Sequence, residues 1–259
     1  MKKLITILLL FTMLDVNAQE FSMQPKGKLS ELTLEIENLF TDLDIQGSTG
    51  NEIRVTADDY KGAPEKAAGL RALSAMGPDN TGIGLNINQS GNTVTISGTH
   101  RNRDSTDYHF VVPANIKLRI NYGSFHSDDI LVRGMSNEVD IKSQVGDLKL
   151  EDVTGPIIAS TLSADIDVEF SSLNQSSPTS ISSVSGDIDL TLPDKSKGDF
   201  KLNSVSGDVY TDFEFELVNN KSRNSFWPGT SASARLNGGG VEFSVKSVSG
   251  DIFIRKAKK

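Results

Sequence analysis

The chain has 259 residues, of which 37% are hydrophobic, 23% are charged and none is cysteine. Zero cysteine excludes disulfides, thiolate zinc sites, a cysteine nucleophile and a lipidated N-terminal cysteine. The net charge of −8, with Lys and Arg scattered except for Lys256, Lys258 and Lys259, argues against a nucleic-acid binder, which normally carries a basic face.

The N-terminus reads as a secretory signal peptide. Lys2 and Lys3 precede an apolar run from Leu4 to Leu14, and Val16-Asn17-Ala18 places small residues at a cleavage site after Ala18. The run is too short for a membrane span, which needs about 20 apolar residues. No second apolar run follows, so the reading is residues 1–18 as signal peptide and 19–259 as a single exported domain without an integral membrane span. Export without cysteine suits the periplasm or cell surface of a bacterium better than a eukaryotic secretory route.

Residues 29–60 alternate as strands: Leu32, Leu34 and Ile36, then Leu43 and Ile45, then Ile53 and Val55. The stretch from Pro64 to Leu73 has helical composition, so 61–80 is expected to be a short helical insertion. Alternation resumes at Ile83, Leu85 and Ile87, and again at Val94 and Ile96.

From about residue 115 the chain repeats itself. Ser-Val-Ser-Gly-Asp occurs at 183–187, 204–208 and 247–251. Diverged copies are Thr161-Leu162-Ser163-Ala164-Asp165 and Ser143-Gln144-Val145-Gly146-Asp147, with a weaker one at Ser127-Asp128-Asp129. After each Asp comes strict alternation, as in Ile188, Leu190 and Leu192, or Ile166, Val168 and Phe170, or Ile252 and Ile254. That is a half-buried strand. Gly146, Asp147, Asp165, Gly186, Asp187, Gly207, Asp208, Gly250 and Asp251 form its structural turn motif, because Gly permits positive φ and Asp bonds nearby amides.

A unit of roughly 20 residues is too short for a helical-pair repeat or a propeller blade and suits one coil of a parallel β-solenoid. The competing fold, a β-sandwich, gives no reason to repeat the same five residues at the same phase. The expected fold is therefore all-β, a right-handed parallel β-solenoid with regular coils over about 115–256. The interval from Asp208 to Asp251 is 43 residues, about twice the others. One coil is accordingly expected to lack the marker or carry an insertion, and residues 217–237 are expected to be an irregular loop leaving the solenoid. Val205 is expected to point inward and Ser206 outward. Ser180, Ser182, Thr191 and Ser204 are expected on the outer faces.

The repeated "SGDI" strands, the glycine run before "VEFSVKSVSGDIFIRK" and the segment "LEIENLFTDLDIQG" resemble the bacterial putative-adhesin family of β-strand-repeat proteins, a domain of unknown function related to head-GIN domains. The resemblance spans roughly residues 29–256. It implies a right-handed β-helical fold, export and no established reaction.

The chemistry-bearing candidates point away from catalysis. Stacked Asp residues could gather a cation, but the calcium nonapeptide Gly-Gly-x-Gly-x-Asp is absent. The pairs Asp187/Asp189 and Asp165/Asp167 have the separation of a polysaccharide-cleaving carboxylate pair, yet an active site is not usually repeated. No Gly-x-Ser-x-Gly elbow occurs, and His100, His109 and His126 lack zinc-protease spacing. Gly238–Gly240 lacks the lysine of a phosphate loop. Phe213, Phe215, Phe226 and Trp227 form the unusual aromatic cluster, either a cap on the core or an interaction patch. The sequence therefore predicts no catalytic, cofactor-binding or metal-binding residues. It predicts a binding or scaffold protein whose partner is an envelope protein or a glycan. Self-assembly into a homo-oligomer and a β-helical polysaccharide lyase or hydrolase are the alternatives.

Overall fold

The computed structural model describes residues 19–39, 41–58, 60–62, 64–67, 69–70, 77–99, 106–123, 129–218 and 229–258. The predicted signal segment therefore lies outside the described residues. So do Phe226, Trp227, His100, His126, Ser127 and Asp128.

The described chain is all-β. Its strands are β1 (Gln19–Met23), β2 (Thr33–Glu37), β3 (Leu43–Ser48), β4 (Ile53–Asp58), β5 (Leu85–Ser90), β6 (Thr93–Gly98), β7 (Asp107–Pro113), β8 (Lys117–Tyr122), β9 (Ile130–Arg133), β10 (Val139–Val145) and β11 (Leu148–Val153). They continue as β12 (Ile157–Ser163), β13 (Ile166–Phe170), β14 (Thr179–Ser185), β15 (Ile188–Leu192), β16 (Gly198–Ser204), β17 (Val209–Thr211), β18 (Glu216–Leu217), β19 (Thr230–Leu236), β20 (Glu242–Ser249) and β21 (Ile252–Lys256).

Two sheets face each other. From β8 to β17 the chain alternates between them, even-numbered strands in one and odd-numbered strands in the other. Equivalent strands of stacked turns pair in parallel and in register: Ile166 with Ile188, Ile188 with Ile252, and Ile252 with Val209. The register is enforced by burial. A slip of one residue would turn every aliphatic side chain from the dry interior to solvent. Ile166, Ile188, Leu190, Leu192, Ile252 and Ile254 are all fully buried, as are Leu34, Ile36, Leu43, Ile45, Ile53 and Val55.

Chain order and stacking order differ at both ends. The strand order β14-β20-β16 in one sheet and β15-β21-β17 in the other puts the last turn, β20–β21, between two earlier ones. At the other end β2–β3 lies between β8–β9 and β6–β7. An end turn exposes unpaired backbone, and antiparallel strands cover part of it. β19 pairs with β16, and β18 with β19. β4 pairs with β7, β1 with β4, and β5 with β6. This accounts for the interval of 43 residues between Asp208 and Asp251. The chain runs out along β16, returns, and inserts β20 beside it. Part of the stretch with loop composition, Thr230–Leu236, is thus a strand. In the expected helical insertion, the described residues contain a single three-residue 3-10 turn, Glu65–Ala67. Residues 63, 68 and 71–76 of the expected insertion lie outside the described residues.

The Val of the repeated motif faces out. Val205 is 47% exposed, whereas Ser204 is 2% exposed. The alternation of Phe200, Leu202 and Ser204 along β16 sets the phase, and the chain leaves the sheet at Val205. Val205 as an inward residue and Ser204 as an outward one are both corrected by this register. Leu202→Ala is expected to lower unfolding free energy by about 2–5 kcal/mol, and Val205→Ala to stay within about 0.5 kcal/mol. Urea unfolding of the two variants gives the comparison; the reverse ranking would place the register one residue off.

Candidate functional site

Each regular turn passes from one sheet to the other through a corner built by the five-residue motif. Its first position points inward. Ser183 Oγ donates to the Ala164 carbonyl (3.2 Å), Ser247 Oγ to the Gly186 carbonyl (3.4 Å) and Ser204 Oγ to the Gly250 carbonyl (2.9 Å). Each hydroxyl thus satisfies a corner carbonyl of the adjacent turn, which lets a polar group be buried. The glycine position is set by close approach. A Cβ on Gly186, Gly250 or Gly207 would collide with the carbonyl oxygen of Ala164, Gly186 or Gly250, respectively. At Gly146 the constraint is conformational, with φ at 87°.

The aspartates form a ladder along most of the stack. The backbone N–H of each donates to Oδ1 of the aspartate in the next turn: Asp147 to Asp129 (2.9 Å), Asp165 to Asp147 (3.0 Å), Asp187 to Asp165 (2.7 Å), Asp251 to Asp187 (2.7 Å) and Asp208 to Asp251 (2.8 Å). The carbonyls complete the link. Ile166 N–H donates to the Asp187 carbonyl, Ile188 N–H to that of Asp251, and Ile252 N–H to that of Asp208.

One further member carries no glycine signal. Asp129 N–H donates to Asp42 Oδ1 (3.0 Å), whereas Asp107, ahead of Tyr108 in the adjacent turn, accepts from Thr41 Oγ1 (3.3 Å) instead. The clue available in the sequence was an Asp directly ahead of alternating residues, as in Asp42-Leu43-Asp44-Ile45.

Magnitudes explain why such a column is tolerated. Two carboxylates about 4.8 Å apart repel by about 0.9 kcal/mol in water and about 3.5 kcal/mol at an effective dielectric of ~20. Most of the ladder carboxylates are exposed, so the lower figure applies. A hydrogen bond to a charged acceptor contributes about 1.5–3 kcal/mol, which exceeds it. The ladder's geometry is that of a fastening between turns.

The second carboxylate of each repeated pair lies on the outer face of the strand. Asp189 is clamped by Arg255, whose Nε lies 2.8 Å from both carboxylate oxygens. Asp167 is held above the usual carboxylate range, first by desolvation and then by the negative charge of Asp189. His109 sits between two carboxylates, with Nδ1 3.3 Å from Asp44 and Nε2 3.2 Å from Asp58. Among the described residues no cluster of His, Asp or Glu has the arrangement of a metal site.

At the C-terminal end, Tyr210 stacks on Phe253 with ring centroids 5.3 Å apart, and the Arg255 guanidinium lies 5.0 Å from the Phe253 centroid. These residues line a cleft of about 600 Å³ together with Glu169, Thr191 and Lys258. Phe213 is buried, and Phe215 packs against Phe200 at 5.1 Å. Both therefore close the end of the core, beside the cleft.

Asp187→Asn keeps an acceptor for the Asp251 amide and is expected to change stability by less than about 1 kcal/mol, while Asp187→Ala is expected to cost about 1–3 kcal/mol. Chemical denaturation separates the two; equal costs would show that the hydrogen bond is not what Asp187 supplies. A raised folded-state pKa at Asp167 means that stability falls as pH rises through that value. Asp167→Asn should match the parent near pH 3 and exceed it at pH 7 in thermal melts.

No curated protein matches the chain. Similar solved structures include a putative cell adhesion protein from Clostridium sporogenes, 14% identical, covering 93% of this chain and 100% of that one with a TM-score of 0.47. A putative adhesin from Bacteroides fragilis is 12% identical, covers 93% of this chain and 97% of that one, and has a TM-score of 0.41. The Toastrack DUF4097 family model matches residues 114–255, the part of the chain that carries the repeated corners, and the chain belongs to that family.

Proposed function

We propose that the chain is an exported, non-enzymatic binding module, built as a right-handed β-solenoid, that acts in the periplasm or at the cell surface of a bacterium on an envelope protein or glycan. The observation that carries this reading is the fate of the carboxylates. The pairs that would serve a hydrolase or lyase recur on successive turns, their first members accept backbone amides, and Asp189 is held by Arg255. Carboxylates repeated turn after turn and occupied in this way serve the stacking of the turns and a rigid surface better than a single reacting centre. The basic start, apolar run and small-residue site over residues 1–18 support export. The cleft beside Tyr210 and Phe253 offers an aromatic edge with charged and hydroxyl neighbours, the chemistry that suits a glycan.

The open end of one sheet favours self-assembly as a second reading. Among the described residues, β17 pairs with β21 on one side and with no strand on the other. Light scattering at micromolar concentration addresses it, and a monomer would remove it.

The expected outcome for binding is retention of the purified protein on immobilised envelope extract or glycans, reduced at least tenfold by Tyr210→Ala with Phe253→Ala. Retention no greater than that of an unrelated acidic β-protein would overturn the reading.

A further inference from the structure

The fold uses three positions of the Ser-Val-Ser-Gly-Asp motif. The first Ser bonds a corner carbonyl, the Gly permits close approach, and the Asp bonds the next turn. It does not use the aliphatic position. Leu162 is 45% exposed, Val184 44%, Val248 47% and Val205 47%. Their turns are stacked in that order, with flanking residues in register, Thr161 with Ser183 and Ser183 with Ser247. Single exposed aliphatics are ordinary on a protein surface, but four stacked in one line form a continuous apolar rail. At about 4.8 Å per turn the rail is about 14 Å long.

An aspartate stands three residues beyond each member: Asp165, Asp187, Asp251 and Asp208. The apolar line therefore runs beside a parallel line of negative charge, on a chain whose net charge is −8. Two copies joined rail to rail with the turns running in opposite directions would set these aspartate lines against each other, which disfavours that homodimer. A partner with positive charge beside its apolar stripe is complementary.

The backbone narrows the partner further. Ala164 N–H bonds the Ser185 carbonyl, Gly186 N–H that of Ser249, Val205 N–H that of Ser247, and Ser206 N–H that of Val248. With these corner amides committed between turns, an added strand would find no row of free groups there. The partner must engage through side chains. A helix laid along the rail presents apolar side chains once per turn, about every 5.4 Å, against the rail's ~4.8 Å.

We propose that the rail Leu162–Val184–Val248–Val205 and the adjoining aspartate ladder form a docking surface for a basic amphipathic helix of another polypeptide. The proposal rests on the binding-module reading above and gives it a surface and a partner chemistry.

Fluorescence anisotropy with a labelled 18-residue peptide tests it. The peptide carries Leu along one helical stripe and Lys elsewhere; a second replaces every Lys by Glu. The purified protein is expected to bind the Lys peptide at least tenfold more tightly than the Glu peptide. Val184→Ser with Val248→Ser should weaken the Lys peptide at least tenfold, and Asp187→Asn with Asp251→Asn should weaken it and reduce its salt dependence. Leu217→Ser with Val218→Ser, which removes exposed apolar residues elsewhere, should leave binding unchanged. Circular dichroism melts verify that each variant is folded. Equal affinity for both peptides, or unchanged binding by the Val184/Val248 variant, would overturn the proposal. So would sedimentation showing a parent dimer that this variant abolishes, since the occupant would then be a second copy. Failure here with retention on envelope extract intact would sink the rail alone and leave the binding module standing.

Discussion

The structure depends on a hydrogen bond from a backbone amide to the carboxylate of an aspartate one turn away. Side-chain burial alone would hold two sheets together without fixing how one turn sits on the next at the corners, where the chain leaves both sheets. There, backbone groups have lost their sheet partners and must find others. The aspartate supplies an acceptor at the needed height, and its own amide repeats the arrangement in the next turn. Because the carboxylates stay exposed, water screens their repulsion. The buried hydroxyl of Ser183, Ser204 or Ser247 satisfies the corner from inside.

The same fastening lets turns distant in sequence become neighbours. Asp251 bonds Asp187 across 64 residues and Asp208 bonds Asp251 across 43, with the geometry seen between Asp165 and Asp147 across 18. A corner that presents the same amide and carboxylate in each turn accepts any other corner of its kind. The last turn can then enter between two earlier ones while β19 lies against the outermost strand. This leaves the C-terminal end with the Tyr210–Phe253 stack and its cleft.

Much of the interior was legible in the sequence, because period-two alternation needs only the pleat of a strand. Ile188, Leu190 and Leu192 are buried as that pattern requires. The corner was harder. Val205 and Ser206 both face outward, so alternation stops there, and an aliphatic residue inside a motif that recurs along the chain invites an inward placement. Asp42 lacks a preceding glycine and escapes a search built on Gly-Asp. The stacking order is not written in the motif, since identical corners carry no information about which neighbour they meet. Strand β19 reads as loop because Thr230-Ser231-Ala232-Ser233-Ala234 offers small side chains to an outer strand that buries little. Of the candidate site, the aspartates were visible individually, while the exposed rail beside them emerges only when the turns are stacked.

Native-state hydrogen exchange at the corner amides measures the central interaction directly. The account predicts that the amides of Asp165, Asp187, Asp251 and Asp208 are protected to nearly the level of Ile188 and Ile252, although their side chains face solvent. Exchange of those aspartate amides at the rate of an unstructured chain, with Ile188 and Ile252 still protected, would contradict it.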